Sequence, residues 1–298
     1  MRLNKEGQKV NITFVVLHYN NNEDTKKCVE SLLPYLNSEK YTVNIVIVDN
    51  GSPQQKAKDI SGNFLKNKNI HLIEARTNIG FAKGNNLGYR YAKEKLHSDV
   101  IVLANNDLLF KQKNFLSVIN EEVVKQKIDI AGPRILLQDS NINENPVPRQ
   151  FNSRIDIESR IIKDRILLIG SYIFGIDTLI SRGVSSSIKD NTLLQEKNNY
   201  QLHGACLIFA NRYVKEKNGL YDGTFMYGEE NILRYMADVY SYKMLYIDHL
   251  FVIHKEGGST KGSYANSAKK RRFRYKNGIR SNKLLLNLIN NGFPKEFI

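Results

Sequence analysis

The chain holds only two cysteines among 298 residues, no apolar run long enough to span a bilayer, and far fewer acids than bases. Cys28 and Cys206 lie far apart without metal-ligand spacing, so neither a disulfide framework nor a zinc site is suggested, and a reducing cytoplasm fits. The N-terminal apolar run from Ile12 to Leu17 is too short for a signal-peptide core and meets His18-Tyr19-Asn20 at once. Any contact with a membrane is therefore expected from its surface. With 30 Asp and Glu against 44 Lys and Arg, the formal net charge is +14. That excess points to anionic partners such as phosphates, nucleic acid or acidic lipid headgroups, although Lys and Asn are abundant almost throughout, so part of it is compositional. Also missing are a Walker loop, a dinucleotide fingerprint and a Ser-His or Cys-His constellation for a covalent nucleophile. A hydrophobic content of 41% and a charged content of 25% are those of an ordinary globular protein, long enough for one large domain or two small ones.

The chain does carry a series of apolar runs that stop on polar ligand-type residues. Ile101-Val102-Leu103-Ala104 reads as a buried strand, and Asn105-Asn106-Asp107 as its exit into a loop. Open α/β folds bind ligands just outside the carboxyl ends of their strands. There Asp107 could help to hold Mg²⁺ or Mn²⁺, which need only one or two carboxylates, or could simply cap the turn. The same form recurs in Ile12 to Leu17, ending in the polar cluster from His18 to Glu23, and in Val43 to Val48, ending in Asp49-Asn50-Gly51-Ser52. A helix between them, capped by Asp24 or Thr25, carries Cys28, Val29, Leu32 and Leu33 and is expected to stop at Pro34. Strand, helix and strand imply parallel strands with right-handed crossovers.

A further helix is expected from about Gln54 to Asn67, then a strand at Ile70 to Ile73. Residues Asn78 to Gly88 combine three glycines with three asparagines at the opening of a helix. Such a loop suits backbone approach to a phosphate or ribose, or tight helix packing. A helix near Asn114 to Lys127 and a strand near Ile128 to Ala131 precede Gly132-Pro133. Residues 139–200 are polar, broken by Pro146 and Pro148, with an amphipathic piece from Ile155 to Ile169, and read as an irregular region that shapes a substrate pocket.

Order returns at His203 to Ala210, a strand whose small residues admit a close neighbour. The aromatic turn Tyr221 to Gly228 delivers Glu229 and Glu230 to the start of a helix, where acids also suit the helix dipole. Adjacent helical residues point in different directions, so one of the two suffices for chemistry. Strands Lys243 to Ile247 and Leu250 to Ile253 lead to His254, a structural histidine or a ligand, and to a glycine-rich turn at Gly257-Gly258. The basic run Lys269 to Lys276, followed by Leu284 to Ile289, reads either as contact with an anionic membrane surface or as a solvated helical face.

In this order and spacing the stretches Val15 to Asn20, Ile47 to Ser52, Asn78 to Asn86, Leu103 to Asp107, Gly204 to Cys206, Phe225 to Glu230 and Ile253-His254 resemble the inverting family two glycosyltransferases with the GT-A fold. Within them the chain looks most like bacterial rhamnosyltransferases of surface-polysaccharide synthesis. The resemblance implies an α/β fold with a mostly parallel nucleotide-sugar-binding sheet flanked by helices. It implies a GT-A domain over 1–260, with a nucleotide half over 10–138 and an acceptor-binding and catalytic half over 139–260, and a basic amphipathic helical tail over 261–298. Tyr19, Asn20, Asp49 and Asn50 would face base and ribose. Asn78, Gly80, Phe81, Gly84 and Asn85 would close over the nucleoside, with Asn106, Gly204 and Ala205 also against the nucleotide-sugar. Asp107 matches the last acid of the family's metal-binding triplet, whose first acid is Asn105 here, and His254 would be the second protein ligand of Mn²⁺ or Mg²⁺. Glu230 stands at the general base, usually Asp in the family, and Glu229 matches the Glu before it. A further family acid is replaced by Ile232, which bears on acceptor binding.

The implied reaction moves a sugar, rhamnose first, from a dTDP- or UDP-sugar to a glycan or polyprenyl-linked glycan. It would take place in the cytoplasm or at the inner face of the cell membrane, with no nucleic-acid partner. Two rivals remain: a sugar-phosphate nucleotidyltransferase, for which no basic glycine-rich N-terminal loop is present, and a non-catalytic basic polysaccharide- or nucleic-acid-binding protein.

Overall fold

Near-continuous runs of Val, Ile and Leu form the central strands, and their side chains are buried on both faces, as a helix-covered parallel sheet requires. The computed structural model describes residues 9–173, 199–255 and 268–297. Strands β1 (Asn11–His18), β2 (Thr42–Asp49), β3 (Ile70–Glu74), β4 (Val100–Asn105), β5 (Leu108–Leu109), β6 (Ile130–Leu137), β9 (Cys206–Ala210) and β10 (Met244–His254) make one eight-stranded sheet in the order β3-β2-β1-β4-β9-β6-β10-β5. A small antiparallel pair, β7 (Val147–Pro148) and β8 (Tyr200–Gln201), stands apart.

The pairings β1 with β2 and β4, β2 with β3, and β6 with β10 are parallel. Strand β9 is antiparallel to β4 and β6, and β5 to β10. The sheet is therefore mixed, but all its strands except β9 and β5 run the same way. Helix α1 (Asn22–Leu36) covers one face, where Ile12, Phe14 and Val16 meet Cys28, Val29 and Leu32. Helix α3 (Phe81–Glu94) covers the other, where Val15, Val46 and Val48 meet Ala82, Tyr89 and Ala92. Both cysteines are free and buried.

Several boundaries differ from the sequence expectation, each for a local reason. Helix α1 is capped by Asn21, whose side chain accepts from the Asp24 N–H, and it runs two residues past Pro34. Pro34 removes the N–H that would bond the Glu30 carbonyl, and the helix ends two residues after it. In place of a helix over 54–67 there is only α2 (Lys58–Ser61) and a 3₁₀ turn at Phe64–Lys66. The Asp49 carboxylate accepts from the Ser52 and Ala57 N–H groups at 2.8 Å each, which pins residues 52–57 as a turn. The helix near 114–127 is α4 (Phe115–Val118), widening into a π-helical run over Ile119–Lys125. Strand β6 passes through Gly132-Pro133, because Pro133 pairs with Ile247 where β10 bulges before Phe251. A residue with no N–H is tolerated where the ladder is already interrupted.

Residues 139–200 are less irregular than expected. Ser153 and Asp156 form a reciprocal cap that starts α5 (Arg154–Gly170). Residues 174–198 and the glycine-rich turn at 257–258 lie outside the described residues. The remaining α-helices among the described residues are α6 (Asn211–Glu216), α7 (Glu229–Tyr240) and α8 (Ala268–Asn291). Helix α8 buries Leu285 and Leu288 in the core on the α3 side of the sheet, and Tyr275 is buried as well; it packs antiparallel to α5, with Arg272 donating to Ser171 and Arg154 to Asn290.

Candidate active site

The strand directions decide which residues meet. Strands β1, β2, β4, β6 and β10 end at one edge, bringing His18, Asp49, the 105–107 turn and His254 there. Strand β9 runs the other way, so the residues that enter it, His203-Gly204-Ala205, arrive at the same edge. The short β5 pairs Leu108 with His254, and the Lys255 N–H donates to the Asp107 carbonyl at 2.9 Å. Asp107 and His254, 147 positions apart in sequence, are thus neighbours by register.

Asp107 Oδ1 lies 3.4 Å from His254 Nε2 and accepts no hydrogen bond, although it is buried. The other imidazole nitrogen, Nδ1, is 2.5 Å from Glu144 Oε2. Burial disfavours the imidazolium, but the Asp107 and Glu144 carboxylates outweigh burial and push its pKa up to about 10. The cluster is therefore built to stabilise positive charge. A histidine fixed through Nδ1 by a carboxylate, with Nε2 beside an unsatisfied carboxylate oxygen, is the arrangement that orients metal-ligating histidines. Among the described residues no group of three His, Cys, Asp or Glu side chains could hold an ion by itself. Asp107 and His254 could together offer a divalent cation one carboxylate oxygen and one imidazole nitrogen, its remaining positions being left to groups from outside the protein.

The two glutamates separate into different environments. Glu229 is 9% exposed, accepts from Thr224 Oγ1 at 2.8 Å, and has its pKa raised, chiefly by burial. Glu230 is half-buried, and its Oε1 accepts the Gly204 N–H at 2.5 Å. The turn before them holds Tyr227 at φ 70° and Gly228 at φ 89°. A Cβ on Gly228 would lie 2.8 Å from the Ser281 Cβ of α8, so this glycine serves both the turn and the approach of that helix. Glu230 opens on a cleft of about 410 Å³ bounded by Asn105, His203, Gly204, Phe81 and Tyr227 on one side and by Arg160, Asp164, Arg274, Tyr275 and Asn282 of α5 and α8 on the other.

The residues expected against the nucleotide fall into two groups. Phe81, Gly204 and Ala205 line the cleft, and Tyr19 is 43% exposed at the end of β1. The others are engaged in the loops that shape it. Asp49, expected to face base or ribose, is 2% exposed, with both oxygens committed to the 52–57 turn. Asn20 Oδ1 accepts from the Gln54 and Gln55 N–H groups. Asn50 donates to Asn78 Oδ1 and the Gly80 carbonyl and accepts from the Ile79 N–H, while Asn78 also accepts from the Gly80 N–H. Gly80 has φ 92°, and a Cβ there would lie 2.4 Å from the Phe225 carbonyl, which the Phe81 N–H meets at 2.8 Å. A Cβ on Gly84 would lie 2.9 Å from Leu17 Cδ1. Asn85 donates to the Phe81 carbonyl, and Asn106 Nδ2 to Thr25 Oγ1.

Sequence reasoning missed Glu144, His203 and Lys255. Glu144 sits in a polar stretch with no periodicity, and only its contact with His254 reveals it. The His203 ring is 6.3 Å from that of His254, and its Nδ1 accepts from the Ala205 N–H. Lys255 ties the end of β10 to Asp24 of α1 at 2.6 Å.

A family model, "Glycosyl transferase family 2", matches residues 13–188, more than half of the chain. The low-salt glycan biosynthesis hexosyltransferase Agl10 of Haloferax volcanii is 25% identical over 140 residues, a match that covers 46% of this chain and 41% of that protein. The chain thus spans less than half the length of that curated relative. Among solved structures, the mannosyltransferase PcManGT from Pyrobaculum calidifontis, in complex with GDP-Man and Mn²⁺, superposes with a TM-score of 0.53 at 11% identity, covering 95% of this chain and 72% of that one. GalNAc-T7 with UDP, GalNAc and Mn²⁺ gives a TM-score of 0.58 at 14% identity, covering 91% and 48%. The α/β architecture is the GT-A fold of these neighbours.

Proposed function

The chain belongs to glycosyl transferase family 2, and from that premise we propose that it is an inverting glycosyltransferase whose general base is Glu230. It would move a sugar from a nucleoside diphosphate donor to an acceptor hydroxyl. The observation that carries this reading is the contrast between the two glutamates. Glu229 is turned inward onto Thr224, whereas Glu230 is held by one oxygen on Gly204 at the wall of the cleft. No described residue donates to Glu230 Oε2, which leaves it for an acceptor hydroxyl.

In the reaction, the acceptor oxygen attacks the anomeric carbon while the bond from that carbon to the diphosphate breaks, and Glu230 takes the hydroxyl proton. One displacement inverts the anomeric centre. Asp107 and His254 would hold a divalent cation, with Glu144 orienting the imidazole. Such an ion supplies charge neutralisation for the departing diphosphate. Phe81, Gly204 and Ala205 bound the donor side, and Tyr19 offers an aromatic face near the strand ends. Asp49, Asn50 and Asn78 support binding by holding the loops over the nucleoside.

For the donor we propose dTDP-rhamnose first and UDP-hexoses next. For the acceptor we propose a glycan or polyprenyl-linked glycan, used in surface-polysaccharide synthesis at the cytoplasmic side of the membrane. A thermal-shift screen of dTDP-, UDP- and GDP-sugars, each with Mn²⁺, Mg²⁺ or chelator, tests the donor half. Stabilisation by one nucleotide class that chelator removes is the expected result, and no response to any nucleotide overturns the reading.

A further inference from the structure

Helix α5 is apolar on two sides. Ile157, Ile161 and Leu167 are buried toward the core, yet Ile155, Ile162, Ile166 and Ile169 are 71%, 57%, 56% and 63% exposed, and Ile173 just beyond the helix is 50% exposed. At 100° per residue the four helical isoleucines fall within an arc of about 60°. Single exposed apolar residues are ordinary. A stripe of isoleucines several turns long marks a surface that binds something.

Charge indicates what covers it. Lys163 and Arg165 flank the stripe and form no ion pair among the described residues, whereas Arg154 and Arg160 are paired with Glu158 and Asp164. Beside α5 lies α8, whose sequence AKKRRFRYKNGIRSNKLLLNLINN holds eight Lys and Arg and no acid. Lys269, Arg274, Lys276, Arg280 and Lys283 are exposed on it. A second copy of this chain would bring like charge against like. An anionic bilayer supplies both the apolar layer for the isoleucines and the phosphates for the cations.

We propose that α5 lies in the interface of an anionic bilayer, with the isoleucine stripe among the acyl chains and the cations of α5 and α8 at the headgroups. No helix among the described residues is long and apolar enough to cross a membrane, so the contact is interfacial. Because Arg160 and Asp164 of α5 and Arg274 and Tyr275 of α8 also bound the cleft that holds Glu230, docking places the cleft beside the headgroup layer. A lipid-linked hydroxyl could reach the base there without leaving the membrane. This last consequence rests on the glycosyl-transfer reading; the docking does not.

The test is co-sedimentation of the full chain with phosphatidylcholine vesicles and with vesicles containing phosphatidylglycerol. Binding to the anionic vesicles alone is expected, falling at about 0.5 M NaCl, where surface charge is screened. The triple variant Ile162→Ser/Ile166→Ser/Ile169→Ser should keep its Tm, because the side chains are exposed, and should partition on the order of a hundredfold more weakly. Lys163→Glu/Arg165→Glu leaves the stripe intact and should also weaken binding. Glu230→Gln should bind vesicles like the unmodified chain, which separates a failure of docking from a failure of the catalytic assignment. Undiminished binding by the triple variant overturns the proposal. So does failure of the unmodified chain to bind anionic vesicles, or a lipid-free dimer that the triple variant abolishes.

Discussion

The Gly204 N–H points its hydrogen bond at Glu230 Oε1, and a Cβ at position 204 would come within 3.1 Å of the same oxygen. The glycine that opens β9 therefore both holds the carboxylate and leaves room for it. Glu230→Gln is expected to lower turnover by roughly 10²–10⁴-fold, the usual contribution of a general base, with donor affinity unchanged. Gly204→Ala should displace the carboxylate and reduce kcat by roughly ten- to a hundredfold, with the KM for donor little altered. Steady-state kinetics of both variants checks the assignment, and normal turnover by Glu230→Gln would remove Glu230 from the role.

Asp107→Ala and His254→Ala are each expected to abolish the part of nucleotide-sugar stabilisation that chelator removes from the unmodified chain. Glu144→Gln should act through His254 and weaken Mn²⁺ binding by about 10–100-fold, as loss of a carboxylate partner of a ligating histidine does. Thermal shift against Mn²⁺ concentration at fixed nucleotide reads this without turnover. An unchanged Mn²⁺ midpoint in Glu144→Gln would leave Glu144 without a positioning role.

Asn86 is buried, donates to the Leu220 carbonyl at 2.7 Å and accepts the Leu220 N–H at 2.8 Å, so one side chain fastens α3 to the segment that leads to Glu230. Asn86→Ala strands both backbone groups and should destabilise the fold by about 2–4 kcal/mol, measured by urea unfolding. Asn86→Asp keeps the acceptor but sets a buried carboxylate against the Leu220 carbonyl, and should cost at least as much as Asn86→Ala at neutral pH. Gly80→Ala should also lower stability in urea unfolding, because the new Cβ meets the Phe225 carbonyl in a left-handed backbone conformation.

Burial raises the pKa of Glu229 above its ordinary carboxylate value of 4.5. A group whose pKa is higher in the folded state favours folding when protonated, and that contribution fades as the pH rises through the folded value. Glu229→Gln should therefore raise Tm more at pH 7 than at pH 4. Equal effects at the two pH values, or a larger effect at pH 4, would contradict the sign.

The apolar runs from Ile12, Val43 and Ile101 are strands in the sequence because branched residues in unbroken rows suit a sheet buried on both faces, and each indeed ends on the polar residues expected. A carboxylate at the exit of β4, a pair of acids at the start of α7 and a histidine at the end of β10 were all legible as chemistry-bearing residue types. Boundaries that depended on a distant partner were not. The turn held by Asp49, the passage of β6 through Pro133 and the docking of α8 on α5 follow from contacts between segments, and no local propensity encodes them.

By itself the sequence determined the α/β class, the strand ends and the residue types available for binding a nucleotide-sugar and taking a proton. Only the tertiary structure decided which of those residues meet. The reversed direction of β9 brings Gly204 under Glu230, and the register of β5 on β10 sets Asp107 beside His254. A non-periodic stretch delivers Glu144 behind that histidine. Strand order, direction and register are long-range properties, fixed by how two cores pack on opposite faces of one sheet, and they place side chains that lie far apart along the chain within hydrogen-bond reach.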